Sequence, residues 1–190
     1  MSDELNQTER EILLRAARNA IEKAVLGIFD LDVNKERIPE SLNEHGATFV
    51  TLTKNGLLRG CIGALNPTKP LIDDVCEHAV AAAMDDFRFP PLGPDEVDQI
   101  RIEISRISPP LEINFANIDE LLSEIQPGVD GIIIRDGNAR ATFLPQVWTK
   151  IPDKEKFLSN LCKKMGAPAD LWKKKKIEVL KYQVEEFSEE

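Results

Sequence analysis

Asn55-Gly56 lies between two runs that both read as strands, and it commits part of this chain to antiparallel sheet. Ala47 to Thr53 is rich in β-branched residues, and Leu57 to Leu65 reads as the returning strand. Asn and Gly both tolerate positive φ, so the pair is a strong signal for a two-residue hairpin turn. The returning strand carries Leu58-Arg59-Gly60-Cys61-Ile62-Gly63. Glycine weakens a buried strand and offers no side chain to pack, so two glycines here point to something approaching the backbone closely. That something is a ligand or another segment of the chain.

Around this hairpin the pattern alternates between helices and short strands. Thr8 and Glu11 have the spacing of a capping box before Ile12, Leu13, Ala16, Ala17, Ala20, Ile21 and Ala24, so a first amphipathic helix is predicted to end near Gly27. Residues 31–46 are mixed and polar and read as loop. Thr68-Lys69-Pro70 opens a second helix that stops near Asp86, and Phe89-Pro90-Pro91-Leu92-Gly93-Pro94 is irregular. Ile100, Ile102 and Ile104 alternate with Arg101, Glu103 and Ser105 as a half-buried strand ended by Pro109-Pro110. Asn117 and Glu120 cap a short helix through Ile125. Gly131–Arg135 and Ala139–Leu144 flank the turn Asp136-Gly137. Asp153 opens a helix that Gly166 stops, and Ile177 to Phe187 reads as one last strand. Few helices and several local hairpins give an α+β fold, with helices packed on one face of mainly antiparallel sheet.

The 190 residues fit one domain or two small lobes, long enough for a core without disulfides or metal. A formal charge of −9 disfavours a general nucleic-acid binder. Lys173-Lys174-Lys175-Lys176 is the one basic cluster and reads as a solvated link before the last strand. Cys61, Cys76 and Cys162 are odd in number and widely spaced, which suits a reducing compartment. Met1-Ser2-Asp3-Glu4 is acidic, without the apolar core of a signal peptide, and no apolar run approaches the ~20 residues that span a bilayer. A cytoplasmic protein is expected.

Cys61 is the one candidate nucleophile with a suggestive setting. Arg59, two residues away on a strand and so on the same side, would favour thiolate. A thiol nucleophile also wants a base, and only His45 and His78 are available. The competing reading is a packed cysteine. Cysteine and histidine lack zinc spacing, so no metal site and no cofactor is predicted. Arg59, Arg88 and Arg140 suit an anion pocket, because guanidinium holds carboxylate or phosphate through two hydrogen bonds. The alternative is pairing with Asp86, Glu103 or Asp130. Gln146, after a strand, is placed to hold a ligand amide or to satisfy backbone groups.

The hexapeptide is one of several pieces that occur together. Asp86-Phe87-Arg88-Phe89-Pro90-Pro91-Leu92 follows an alanine-rich helix, and Glu103-Ile104-Ser105 precedes Ser108-Pro109-Pro110. Gly128-Val129-Asp130-Gly131, Phe143-Leu144-Pro145-Gln146-Val147-Trp148 and Leu161-Cys162-Lys163-Lys164-Met165-Gly166 follow, with Trp172 after the last. In this order the chain resembles the AMMECR family, also called AmmeMemoRadiSam system protein A, over roughly residues 10–187. Two positions depart from its pattern: Phe87 stands where proline is usual, and Met165 where a small residue is usual. The resemblance implies one AMMECR-type domain of two lobes facing across a cleft, with a smaller lobe around 45–95 inserted in a larger one. It brings no established activity, and its system name implies association with a Memo-like and a radical-SAM protein.

The expected site is therefore Cys61 as candidate catalytic thiol, with Arg59, Gly60, Gly63, Asp86, Arg88, Glu103, Arg140 and Gln146 as binding residues. The expected function is a binding or accessory module that takes a small molecule or peptide in the cleft. An enzyme using Cys61 as nucleophile or redox thiol and a regulatory interaction module are the alternatives. Nucleic acid and membrane are not expected partners.

Overall fold

The computed structural model describes residues 4–28 and 38–190. Met1-Ser2-Asp3 and residues 31–37 of the expected polar loop lie outside the described residues.

The first helix, α1, spans Gln7–Val25. Its cap is Asn6, whose Oδ1 accepts from the Glu9 N–H at 3.0 Å, while the Glu9 carboxylate accepts from the Asn6 N–H at 2.8 Å. This corrects the expected Thr8–Glu11 box: Asn6 and Glu9 share the same spacing, and the helix begins a residue before Thr8. Leu13, Ala17, Ile21 and Ala24 form its buried stripe, and Gly27 closes it at φ +75°.

Strand β1 (His45–Lys54) turns at Asn55-Gly56 into β2 (Leu57–Gly63). Asn55 has φ 52° and Gly56 φ 76°, the geometry that the two-residue turn requires. Lys69-Pro70, expected to open a helix, instead forms a short strand, β3, against His45-Gly46. Helix α2 follows at Leu71–Met84. A 3₁₀ turn at Pro94–Gln99 leads into β4 (Ile100–Ile107), which pairs antiparallel with β1.

Next come β5 (Leu111–Glu112), α3 (Ile118–Glu124), the hairpin β6 (Gly131–Asp136) and β7 (Ala139–Phe143), and α4 (Lys154–Lys164). Asn117 and Asp153 cap α3 and α4 as expected, and Gly166 has φ +83°. A short helix, α5 (Leu171–Lys174), was not legible in the sequence. The expected last strand is two: β8 (Glu178–Tyr182) and β9 (Val184–Ser188), separated at Gln183 and serving different sheets.

The chain divides into two units. The first takes the chain through Ser108 and adds Glu185–Glu190; the second is Pro109–Val184. Residues 45–95 fall wholly inside the first. In the first unit the sheet order is β2-β1-β4-β9, with β3 paired to the end of β1. Val50, Leu52, Ile102 and Ile104 alternate with Thr51, Thr53, Arg101 and Glu103. The former set packs with Leu13 and Ile21 of α1 and Val75 and Ala79 of α2. Both helices therefore lie on the face bearing the isoleucines. In the second unit the order is β5-β8-β6-β7. Ile132, Ile134 and Val179 pack there with Trp148, Phe157, Leu161 and Trp172.

The lysine run is committed residue by residue. Lys173 pairs with Glu155, Lys174 with Asp170 and Lys175 with Asp136, and Lys176 lies over the Phe115 ring at 5.8 Å. Among the described residues no helix is long and apolar enough to cross a membrane.

Candidate functional site

The turn would set Thr53 opposite Leu58 and then Leu52 opposite Arg59. The first pairing occurs, but Leu52 stands opposite Gly60 and Thr51 opposite Cys61. Arg59 is the extra residue of a β-bulge. The two-residue alternation breaks there, so Arg59 does not share the side of Cys61, contrary to the expectation from strand parity. Its side chain is buried against Glu96 instead, with Nε 3.2 Å from Oε1 and Nη2 3.0 Å from Oε2. Lys54 Nζ reaches the same carboxylate at 2.9 Å. Arg59, then Lys54, hold the Glu96 carboxyl down at about 2, against a partial cost of burial.

Cys61 is half-buried, and the Thr51 hydroxyl donates to its sulfur at 3.3 Å. Its backbone N–H donates to Asp86 Oδ2 at 2.8 Å, and its carbonyl accepts from Arg88 Nη2 at 3.1 Å. Asp86 and Arg88 bind each other through Arg88 Nε to Oδ1 at 2.8 Å and Nη2 to Oδ2 at 2.6 Å. Asp86 is 4% exposed. The Arg88 guanidinium and the Cys61 N–H hold its carboxyl well below the usual carboxylate range, with burial opposing them. Phe87, between the two, is 95% exposed, and the Phe89 ring lies 5.9 Å from the Arg59 guanidinium carbon and 5.7 Å from that of Arg88.

The glycines answer to the protein's own backbone. A Cβ on Gly60 would overlap the Ala82 carbonyl oxygen at the end of α2, and one on Gly63 would come within 2.5 Å of the Phe49 Cα in β1. Glu103 in β4 stands opposite Thr51, which stands opposite Cys61, so the three form one row across the sheet. Arg140 and Gln146 belong to the second unit. Arg140 is exposed on β7 opposite Arg135, and Gln146 is exposed in the 3₁₀ turn Pro145–Thr149, where its carbonyl accepts from the Thr149 hydroxyl at 2.7 Å.

Neither histidine is among the hydrogen-bond partners of Cys61. His45 is exposed at the start of β1, opposite Pro70. His78 is buried, with Nδ1 3.1 Å from Asp74 Oδ2, and the Thr48 hydroxyl donates to the same oxygen at 2.7 Å. A carboxylate only accepts, so His78 Nδ1 carries a hydrogen. This Thr48–Asp74–His78 cluster joins α2 to β1, and sequence reasoning missed it. The i,i+4 spacing of Asp74 and His78 was the available signal. Thr51 and Glu96 were missed as well, because the bulge sets the register of one and the fold of Pro94–Gln99 delivers the other.

The other two thiols are buried. Burial first, and then the Asp73 charge, push the Cys76 thiol up to about 11. Burial also raises Cys162. Among the described residues no group of three or more His, Cys, Asp and Glu side chains is arranged to hold a metal ion.

Comparison with known proteins accords with the motif order. The AMMECR1 family model matches residues 14–187. A protein of Methanothermobacter thermautotrophicus is 40% identical over 187 residues, covering 98% of this chain and 97% of its own length. One of Methanopyrus kandleri is 37% identical, covering 100% of this chain and 93% of its own. The crystal structure of an uncharacterized protein from Pyrococcus horikoshii is similar at a TM-score of 0.81 and 34% identity, covering 98% of this chain and 94% of that one.

Proposed function

The chain belongs to the AMMECR1 family, and from that premise we propose that it is a recognition or accessory module. In this reading it binds a small molecule or a peptide segment at the surface where Cys61, Phe87 and Arg88 meet. One observation supports it above others. The two arginines nearest Cys61 in the fold are already paired: Arg59 with Glu96, and Arg88 with Asp86 and the Cys61 carbonyl. Among the described residues the thiol's side-chain hydrogen-bond partner is the Thr51 hydroxyl, which is no base. This arrangement suits holding a shape better than moving a proton.

The ligand chemistry follows from the exposed groups. Phe87 offers an uncovered ring, and beside it Arg88 keeps 42% of its side chain in solvent. A ligand that sets an apolar group next to a carbonyl or carboxylate acceptor matches that pair. Arg88 is neutralised by Asp86, so a bare anion gains little there.

The test is a screen of fragments and short peptides by amide NMR on the full chain. Hits that shift Cys61 and residues 86–89, and that weaken in Phe87→Ala and Arg88→Ala, sustain the reading. Hits that bind both variants as tightly as the parent remove it. Turnover of any screened compound that vanishes in Cys61→Ser would establish the enzymatic alternative. Arg140→Ala and Gln146→Ala are to be measured beside these, as independent candidates of the second unit.

A further inference from the structure

Among the described residues, strand β2 is the edge of its sheet, with β1 on one side and no strand on the other. Edge strands expose backbone N–H and C=O groups that pair readily with a strand of another molecule. In an antiparallel strand the N–H and C=O of one residue point the same way. Those of Cys61 are taken by side chains: Asp86 accepts the N–H at 2.8 Å, and Arg88 donates to the carbonyl at 3.1 Å. An added strand would bring one carbonyl and one N–H to this spot. Asp86 supplies the acceptor and Arg88 the donor, and their own two hydrogen bonds lock them together. The pair is a one-residue counterfeit of a neighbouring strand.

The neighbourhood gives the counterfeit a purpose. Leu57 and Leu58, on the same strand, are 74% and 44% exposed, and Phe87 stands uncovered between the two clip residues. An open edge flanked by exposed apolar side chains is a template for self-pairing. The bulge at Arg59 bends the strand and is a second obstacle of the same kind.

We propose that the Asp86–Arg88 pair is an edge guard, keeping β2 from joining strand-to-strand with the β2 of a second copy of this chain. The role shares Arg88 and Cys61 with the proposed ligand surface but requires no ligand there. It assigns the clip a task that a mere loop anchor lacks: suppression of association through one identified edge.

The test compares the full-length parent with the double variant Asp86→Ala/Arg88→Ala by sedimentation over a range of concentrations. Hydrogen–deuterium exchange of the peptide covering 57–63 is read alongside. The guard predicts self-association tightened by at least about tenfold relative to the parent, the worth of a net hydrogen bond or two. It also predicts slower exchange in 57–63 as concentration rises, and reversal of both effects by adding Leu58→Lys, since an edge lysine opposes pairing. A folded variant that sediments like the parent at every concentration overturns it. So does association whose protection lies outside 57–63 or persists with Leu58→Lys. If the double variant does not fold, Arg88→Ala, which keeps Asp86 on the Cys61 N–H, decides by the same readouts.

Discussion

Arg59 grips Glu96 with both prongs of its guanidinium, and the grip exists because a β-bulge turns Arg59 out of the strand's alternation. Its acid behaviour follows. The Glu96 carboxyl sits at about 2 when folded, against an ordinary value of 4.5. A lowered folded value means that the contribution to stability is complete above about 4.5 and is lost as pH falls towards 2. Thermal or denaturant unfolding of the parent should therefore weaken across that window. Glu96→Gln should flatten this part of the profile while lowering stability at neutral pH. A Glu96→Gln profile parallel to the parent's through that window would remove the pair from the acid response.

The three thiols should separate by reactivity. Cys76 and Cys162 are buried and their thiols are raised, so both stay protonated and shielded near pH 8. Cys61 is half-buried on an edge strand. A disulfide reagent should modify one thiol per native chain and all three after denaturation. Mass mapping should place the native adduct on Cys61, and an adduct on Cys76 in the folded protein would contradict the burial seen here.

Much of this architecture was legible because it is local. The Asn55-Gly56 turn, the caps at Asn117 and Asp153 and the stop at Gly166 each depend on residues within a few positions. The motif order also carried the family. What escaped is non-local. No pattern within Leu58–Gly63 announces that Arg59 is the extra residue, since a bulge shows only against its partner strand. Without it the hairpin pairs Thr51 with Gly60, and the Thr51–Cys61 contact is invisible. The single strand read at Ile177–Phe187 failed for a related reason. β-branched and aromatic residues mark extended backbone but not which sheet receives it, and the chain changes sheets at Gln183. The two glycines announced a close approach, but sequence has no means of telling an α2 carbonyl from a ligand.

Asp74 is the hub of a buried cluster, since its Oδ2 accepts from both the Thr48 hydroxyl and His78 Nδ1. Asp74→Ala would remove the shared acceptor of two buried groups at the junction of α2 and β1, Thr48 and His78, which are left only their own 3.5 Å contact. A loss on the order of 1–3 kcal/mol is expected for each buried polar group left unmatched. His78→Gln, which keeps an amide donor, should cost less than Asp74→Ala in the same denaturant titration. The reverse order would mean that the imidazole, and not the carboxylate, organises this junction.

Gly60 separates packing from recognition most directly. Its Cα faces the Ala82 carbonyl oxygen, which a Cβ would overlap, and backbone at the end of a packed helix cannot swing aside as a flexible side chain can. Gly60→Ala must therefore push α2 away from β2 or distort the strand. Overpacking of this kind costs on the order of 1–3 kcal/mol, read as a lower denaturant midpoint with an unchanged slope. Because Asp86 follows the end of α2, the same displacement should loosen its bond to the Cys61 N–H and speed exchange at that amide. If Gly60→Ala instead kept the parent's stability and slow exchange while abolishing binding of a ligand found by the NMR screen, the glycine would serve the ligand and not the helix.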